Sequence, residues 1–383
     1  MSNKASIEHV YEQLRQEGFV ENPYRPMDDD QSNSPWFIQG LMGCGAWFAA
    51  IFLLASVLFC FFTTMDGLDQ STIGVFALII GTIFIIVTTF VSRNDDSQNL
   101  MVSQFALVIH IVGHLLLFFG MVALFDPFGN TEESIINFQV SIILIVSIGL
   151  QVIAIWLYHN TLFRFIAMLG ITACLAGIGY LYEFPILDAL IVGILFIVAM
   201  VIWLDMLPIR IQIEQISTLR PVGFGAIVGA SVLIIYTISN PYLFDSAPPR
   251  LQTALLLTGI ILLGCLLWLE YHLLREYEIP ITSSIALAIF VVSIVISLVV
   301  ITTPGIIAGF VIVLLAFRRR NNILLGIGYA YLAGFIVYYY YWLDVTLLTK
   351  SVILMSVGVL LIIARFGLRR LTLVPDEKKG MSA

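Results

Sequence analysis

Long apolar stretches begin near residue 36 and continue almost to the end of the chain, and the basic residues between them are sorted to one side. Numbering twelve such stretches and placing the N-terminus inside puts Lys4, Arg15, Arg25, Arg93, Arg164, Arg210, Arg220, Arg275, Arg318, Arg319, Arg320, Arg365, Arg369, Arg370, Lys378 and Lys379 on one face. Of the 18 Lys and Arg residues, only Arg250 and Lys350 fall on the other. Such a bias sets the orientation of helices in a bilayer. The sequence therefore predicts an all-α, polytopic transmembrane helix bundle of about twelve spans, with both termini cytoplasmic.

Composition closes off the alternative of one water-soluble core. Hydrophobic residues make up 60% of the chain and charged residues 11%, with a mean hydropathy of +1.00, against roughly 25% charged in a globular protein. At 383 residues, twelve spans of about 20 residues leave a polar N-terminal segment and short connections. The net charge of -7 lies largely in that segment and the outer loops, and implies no nucleic-acid partner. The lipid bilayer is the predicted surrounding.

The predicted spans are 36–63, 71–91, 102–125, 137–158, 161–181, 185–204, 222–239, 251–273, 280–302, 304–317, 322–342 and 346–366. They divide the chain into a cytoplasmic segment 1–35, a membrane domain 36–366 and a cytoplasmic tail 367–383. No basic, small-residue cleavage pattern precedes the first span, so no signal peptide is expected. The tenth span is the weakest, since 14 residues give about 21 Å of helix against a hydrocarbon core of about 30 Å. A re-entrant hairpin there would carry Arg318, Arg319 and Arg320 to the outer face, so the charge pattern favours a crossing.

Ile7, Val10, Tyr11 and Leu14 fit an amphipathic helix over 5–17, and Ile209 to Ile216 could rest in the inner interface. Trp156-Leu157-Tyr158-His159 and Trp268-Leu269-Glu270-Tyr271-His272 hint at a parallel repeat. Cys44, Cys60, Cys174 and Cys265 lie in apolar stretches without metal-ligand spacing, so free thiols and no metal or cofactor are expected.

An ionisable group in lipid is costly unless it faces the bundle interior, which makes each a candidate site. Gln104, His110 and His114 fall on nearly one face of the third span, the histidines one turn apart near mid-membrane. They suit either a packed pair or a proton or ligand relay. Haem is disfavoured, because ligands at i and i+4 on one helix cannot take opposite axial positions, and His159 and His272 lie roughly 12 Å away by helix rise. Asp188, with Glu183 just outside, reads as a helix cap or a functional carboxyl group. Gln139 and Gln151 read as links between helices. Tyr338 to Tyr341, Trp342, Asp344 and Lys350 mark the outer ends of the last two spans, where Asp344 suits a helix start and Lys350 an anion-binding or snorkelling role.

Pro35-Trp36-Phe37, Gly43-Cys44-Gly45-Ala46-Trp47, the Pro304-Gly305 helix start and the closing stretch from Tyr340 to Ser351 resemble a bacterial membrane family known as domain of unknown function 4401. The resemblance implies the bacterial cytoplasmic (inner) membrane, and partners among inner-membrane proteins of one envelope system. It carries no reaction, and it ranks Asp344 and Lys350 above the histidine pair. Three functions follow as expectations: transport or flipping of a small or lipid-linked solute, an accessory or scaffold subunit of an envelope complex, and a membrane-embedded enzyme on lipid-linked substrates. No catalytic residue stands out, so the sequence leans away from an enzyme.

Overall fold

The computed structural model describes residues 36–64, 69–94, 100–126, 132–158, 160–182, 185–204, 216–239 and 248–342, with Arg15 and Met355 besides. Among the described residues every regular element is an α-helix. In chain order these are α1 (Trp36–Thr64), α2 (Gln70–Asn94), α3 (Leu100–Phe125), α4 (Glu133–Leu157), α5 (Thr161–Leu181) and α6 (Pro185–Trp203). They continue as α7 (Ile216–Ser239), α8 (Pro248–Glu276), α9 (Ser284–Val299), α10 (Pro304–Arg318) and α11 (Asn322–Trp342). Eight are long and apolar enough to cross a membrane, which makes this a multi-pass membrane protein. The expected twelve crossings reduce among the described residues to those eight, with the apolar stretch Gly43–Ser56 of α1, α9 and α10 as shorter segments. The twelfth expected span lies outside the described residues apart from Met355, as does the amphipathic stretch 5–17 apart from Arg15, and so does Ile209 to Gln215.

Lipid gives helices no hydrophobic reason to associate, so close packing and interhelical hydrogen bonds must hold them. The α2–α3 hairpin shows the first of these. Gly74, Ala77, Gly81 and Thr88 make a buried heptad stripe on α2, and the antiparallel α3 answers with Gly113 and Gly120. A methyl group on Gly81 would stand 2.8 Å from the Gly113 carbonyl oxygen, and one on Gly120 would stand 2.9 Å from that of Gly74. Because the obstruction is backbone, no side-chain rotation relieves it. α1 packs on the same hairpin through Ala50 and Leu54 against Val108.

The larger core lies among α4 to α8 and α10, with Leu195, Phe196, Ile227, Leu262 and Ile307 fully enclosed. α10 is its innermost member, with ten of its 15 residues buried. α9 is peripheral and buries only Ala286 and Ser297. At about 24 and 22 Å, both are shorter than the hydrocarbon core, and the turn between them reaches Gly259. A Cβ there would meet the Ile301 carbonyl oxygen at 2.3 Å. Irregular backbone at membrane depth is tolerated when protein covers it, and this turn buries Val300 and Thr303 while Thr302 stays exposed.

The ends of the bundle alternate as hairpins require. Asn160 caps α5 by accepting from Leu162 and Phe163 N–H and donates to Ser103 near the start of α3. At the opposite end Gln70 donates to Asp126, joining the start of α2 to the end of α3. α10 finishes where α6 and α8 finish. Arg318 donates to the Trp203 carbonyl at 2.6 Å and pairs with Glu276, and Arg319 donates to the same carbonyl at 2.7 Å. Arg320 then takes a left-handed φ of 51°, and Asn321 caps α11 through Ile323 and Leu324 N–H.

Two outcomes follow. Gly81→Leu should destabilise the bundle by more than the roughly 1–3 kcal/mol of ordinary overpacking, and Gly81→Ala by about that amount, read from thermal unfolding in detergent. At the other end of α2, Asp69 accepts from the Ser71 hydroxyl, the Thr72 hydroxyl and Thr72 N–H. These bonds hold its carboxyl at about 2, below its ordinary 3.8. The folded value is the lower one, so the cap stabilises the helix start above about pH 4 and is lost as pH falls toward 2. Protection of the Thr72 and Ile73 amides, taken relative to the intrinsic exchange rate at each pH, should fall over that window, and Asp69→Ala should make that protection independent of pH.

Candidate functional site

Interhelical hydrogen bonding shows at His110, where α2, α3, α4 and α5 meet. Heptad spacing places Thr88 on the face of α2 that meets α3, one repeat beyond Gly81. Its hydroxyl donates back to the Phe84 carbonyl at 2.6 Å, a common habit of threonine in helices, and its oxygen lies 2.7 Å from His110 Nδ1. With the hydroxyl proton so used, Nδ1–H is the donor to Thr88. His110 Nε2 is buried and has no hydrogen-bond partner.

Aromatic rings close the rest of the box. Tyr158, the extended residue that ends α4, stacks on the His110 ring at 4.0 Å and 7°. Phe163, in the first turn of α5, presents its edge at 4.5 Å and 87°. His114 sits 4.9 Å from His110 and donates from Nδ1 to the His110 carbonyl at 3.0 Å. The His110 side chain is fully enclosed behind these aromatic walls, whereas His114 is partly exposed. His159, expected roughly 12 Å from His110 by helix rise, lies outside the described residues.

The other candidates stand apart. Gln104 accepts from the Trp47 indole at 3.1 Å and so faces α1. It does not share the histidine face expected for it, since the six residues from Gln104 to His110 carry a helix about 120° round from its start. Asp188 is buried in the first turn of α6 and lies over Gly179 of α5, where a Cβ would meet its Oδ1 at 2.4 Å. Gly179 is sixteen residues, or about 24 Å, along α5 from Phe163. Tyr338 is half-buried on α11, its ring 6.2 Å from Phe335. Asp344 and Lys350 lie outside the described residues. Gln151 acts as a link between helices, donating to Cys174 on α5 at 3.9 Å.

Sequence reasoning passed over three residues. Thr88 looks ordinary until the heptad Gly74, Gly81, Thr88 is noticed. Glu270 was visible only as part of the Trp-Leu-Glu-Tyr-His motif. It is buried, accepts from Ser293 on α9 through Oε1, and has no partner for Oε2. Arg164 was counted as a topological charge, yet it is buried and donates to the Ile155 carbonyl at 3.0 Å. The two motif copies occupy different surroundings, for Leu157 is exposed and Leu269 fully buried, which weighs against a repeat. Among the described residues no three His, Cys, Asp or Glu side chains gather as a metal ion would require.

No curated protein and no solved structure matches the chain. A family model described as Domain of unknown function (DUF4401) matches residues 35–371, from one residue before α1 to well past the last described helix. The match spans the membrane domain and most of the chain, and the protein belongs to the DUF4401 family.

Proposed function

We propose that the protein is a non-catalytic accessory or scaffold subunit of a bacterial inner-membrane complex. It would cross the membrane up to twelve times, with residues 1–35 and 367–383 in the cytoplasm. The observation that carries this reading is the use made of the intramembrane polar groups. Gln104 fastens α3 to α1, His110 fastens α3 to α2, and Glu270 fastens α8 to α9. A solute path needs polar groups facing water, whereas these face one another across packed interfaces. Extraction in mild detergent should yield the full chain with a membrane partner in fixed stoichiometry, and a lone monomer would overturn the proposal.

One observation favours proton-coupled transport as the second reading, namely the unpartnered His110 Nε2. The two readings part on His110→Phe, which keeps an aromatic ring in the box and removes both nitrogens. Under the scaffold reading this variant assembles with its partner and carries no altered proton flux in reconstituted vesicles. Loss of a wild-type flux at unchanged thermal stability would instead establish transport. Thr88→Val leaves the His110 Nδ1–H without an acceptor and should cost about 1–3 kcal/mol of stability, seen as a lower melting temperature in both readings.

A further inference from the structure

We propose that the groove between α5 and α7 binds one acyl chain of a membrane phospholipid, with the headgroup at the end where both helices finish. The two helices run parallel and touch where Gly225 lies on Met168 and Gly229 on Thr172. Beyond that contact they leave a cavity of about 390 Å³. Its walls are Ala173, Ala176 and Gly177 on one side and Val232 on the other, and its mouth lies between Tyr180 and Tyr236.

Three features select the occupant. The groove opens sideways, since Val232, Tyr180 and Tyr236 are all exposed on the bundle surface, and in a membrane protein that surface is bathed in lipid. From Leu169 at its base to Tyr180 at its mouth is eleven residues, about 16 Å of helix, close to one leaflet's half of a 30 Å hydrocarbon core. Tyrosines at both sides of the mouth suit the headgroup level, where their rings and hydroxyls meet both apolar and polar surroundings. The one hydroxyl in the lower groove, on Thr172, donates to the Met168 carbonyl at 2.9 Å, so the walls offer an alkyl chain no competing donor. Small side chains at Ala173, Ala176 and Gly177 make room that leucines would fill.

The full chain reconstituted with a phosphatidylcholine carrying a diazirine at the end of one acyl chain tests this. Mass spectrometry should place adducts on residues 169–173, and a diazirine near the acyl carbonyl should move them to Tyr180 and Tyr236. Ala173→Trp and, independently, Val232→Trp fill the groove and should each lower this labelling at least fivefold, with labelling at exposed Ile83 unchanged. Either variant suffices if the other fails to fold. Labelling spread evenly over exposed positions such as Ile83 and Ile153, or unaffected by both variants, overturns the proposal. So does p-benzoylphenylalanine at position 173 capturing residues 346–366 of the same chain in place of lipid. Neither result bears on whether a partner subunit co-purifies.

Discussion

A helix that ends inside or beside a hydrocarbon core leaves terminal carbonyls with no water to satisfy them, and this chain meets that constraint with arginine. Arg164 turns back onto Ile155 near the end of α4, and Arg318 and Arg319 both donate to Trp203 at the end of α6. A cation at a helix C-terminus also complements the macrodipole. Each side chain does three things together: it satisfies a carbonyl, balances a dipole and joins consecutive or distant helices. The clamp on Trp203 spans more than a hundred residues of sequence and brings α6, α8 and α10 to one level. Charge asymmetry in the sequence is thus more than a topological tally, because three of its members are built into helix ends.

Away from the helix ends, adhesion comes from closeness and from single polar contacts. α2 and α3 approach until glycine backbone meets glycine backbone, where dispersion is strongest and Cα–H···O contacts become available. One heptad further along, the pair reaches Thr88 and His110, and the same seam changes from bare backbone to a hydrogen bond. The aromatic box around His110 joins this hairpin to the α4–α5 turn. Some polar residues, such as Gln104, His110 and Glu270, connect two helices, while Thr172 and His114 bond within their own helix, an economy suited to a solvent in which an unpaired group is costly.

Element positions were legible because a bilayer imposes one length and one composition on every crossing. The expected 161–181 and 322–342 coincide with Thr161–Leu181 and Asn322–Trp342. The seventh helix begins six residues early, at Ile216, and takes in Pro221 as its sixth residue, where the ring removes the hydrogen bond to the Ser217 carbonyl. The ninth is shorter than expected because Ser283 caps it through Ala286 N–H, a local bond that hydropathy does not register. The candidate site was half legible. His110 and His114 were found by spacing, but their surroundings depend on which helices flank α3. Hydropathy is blind to that order. Tyr158 and Thr88, 70 residues apart in sequence, touch the same ring only because α2 and the end of α4 both border α3.

The short tenth helix shows how geometry can settle a question that length leaves open. On length alone it could cross or turn back, and turning back by itself would reverse every later helix. In the structure α9 and α10 act together, leaving the end of α8, turning at Gly259 and returning to Glu276 and Trp203. α11 therefore starts at the same end whether or not the turn reaches the far surface. That result needs only the even number of helices in the hairpin and the arginine contacts that fix its return. It leaves Arg318 and Arg319 at the end of the bundle where Arg164 also lies, with the direction of α11 tied to polar contacts and independent of hydrophobic length.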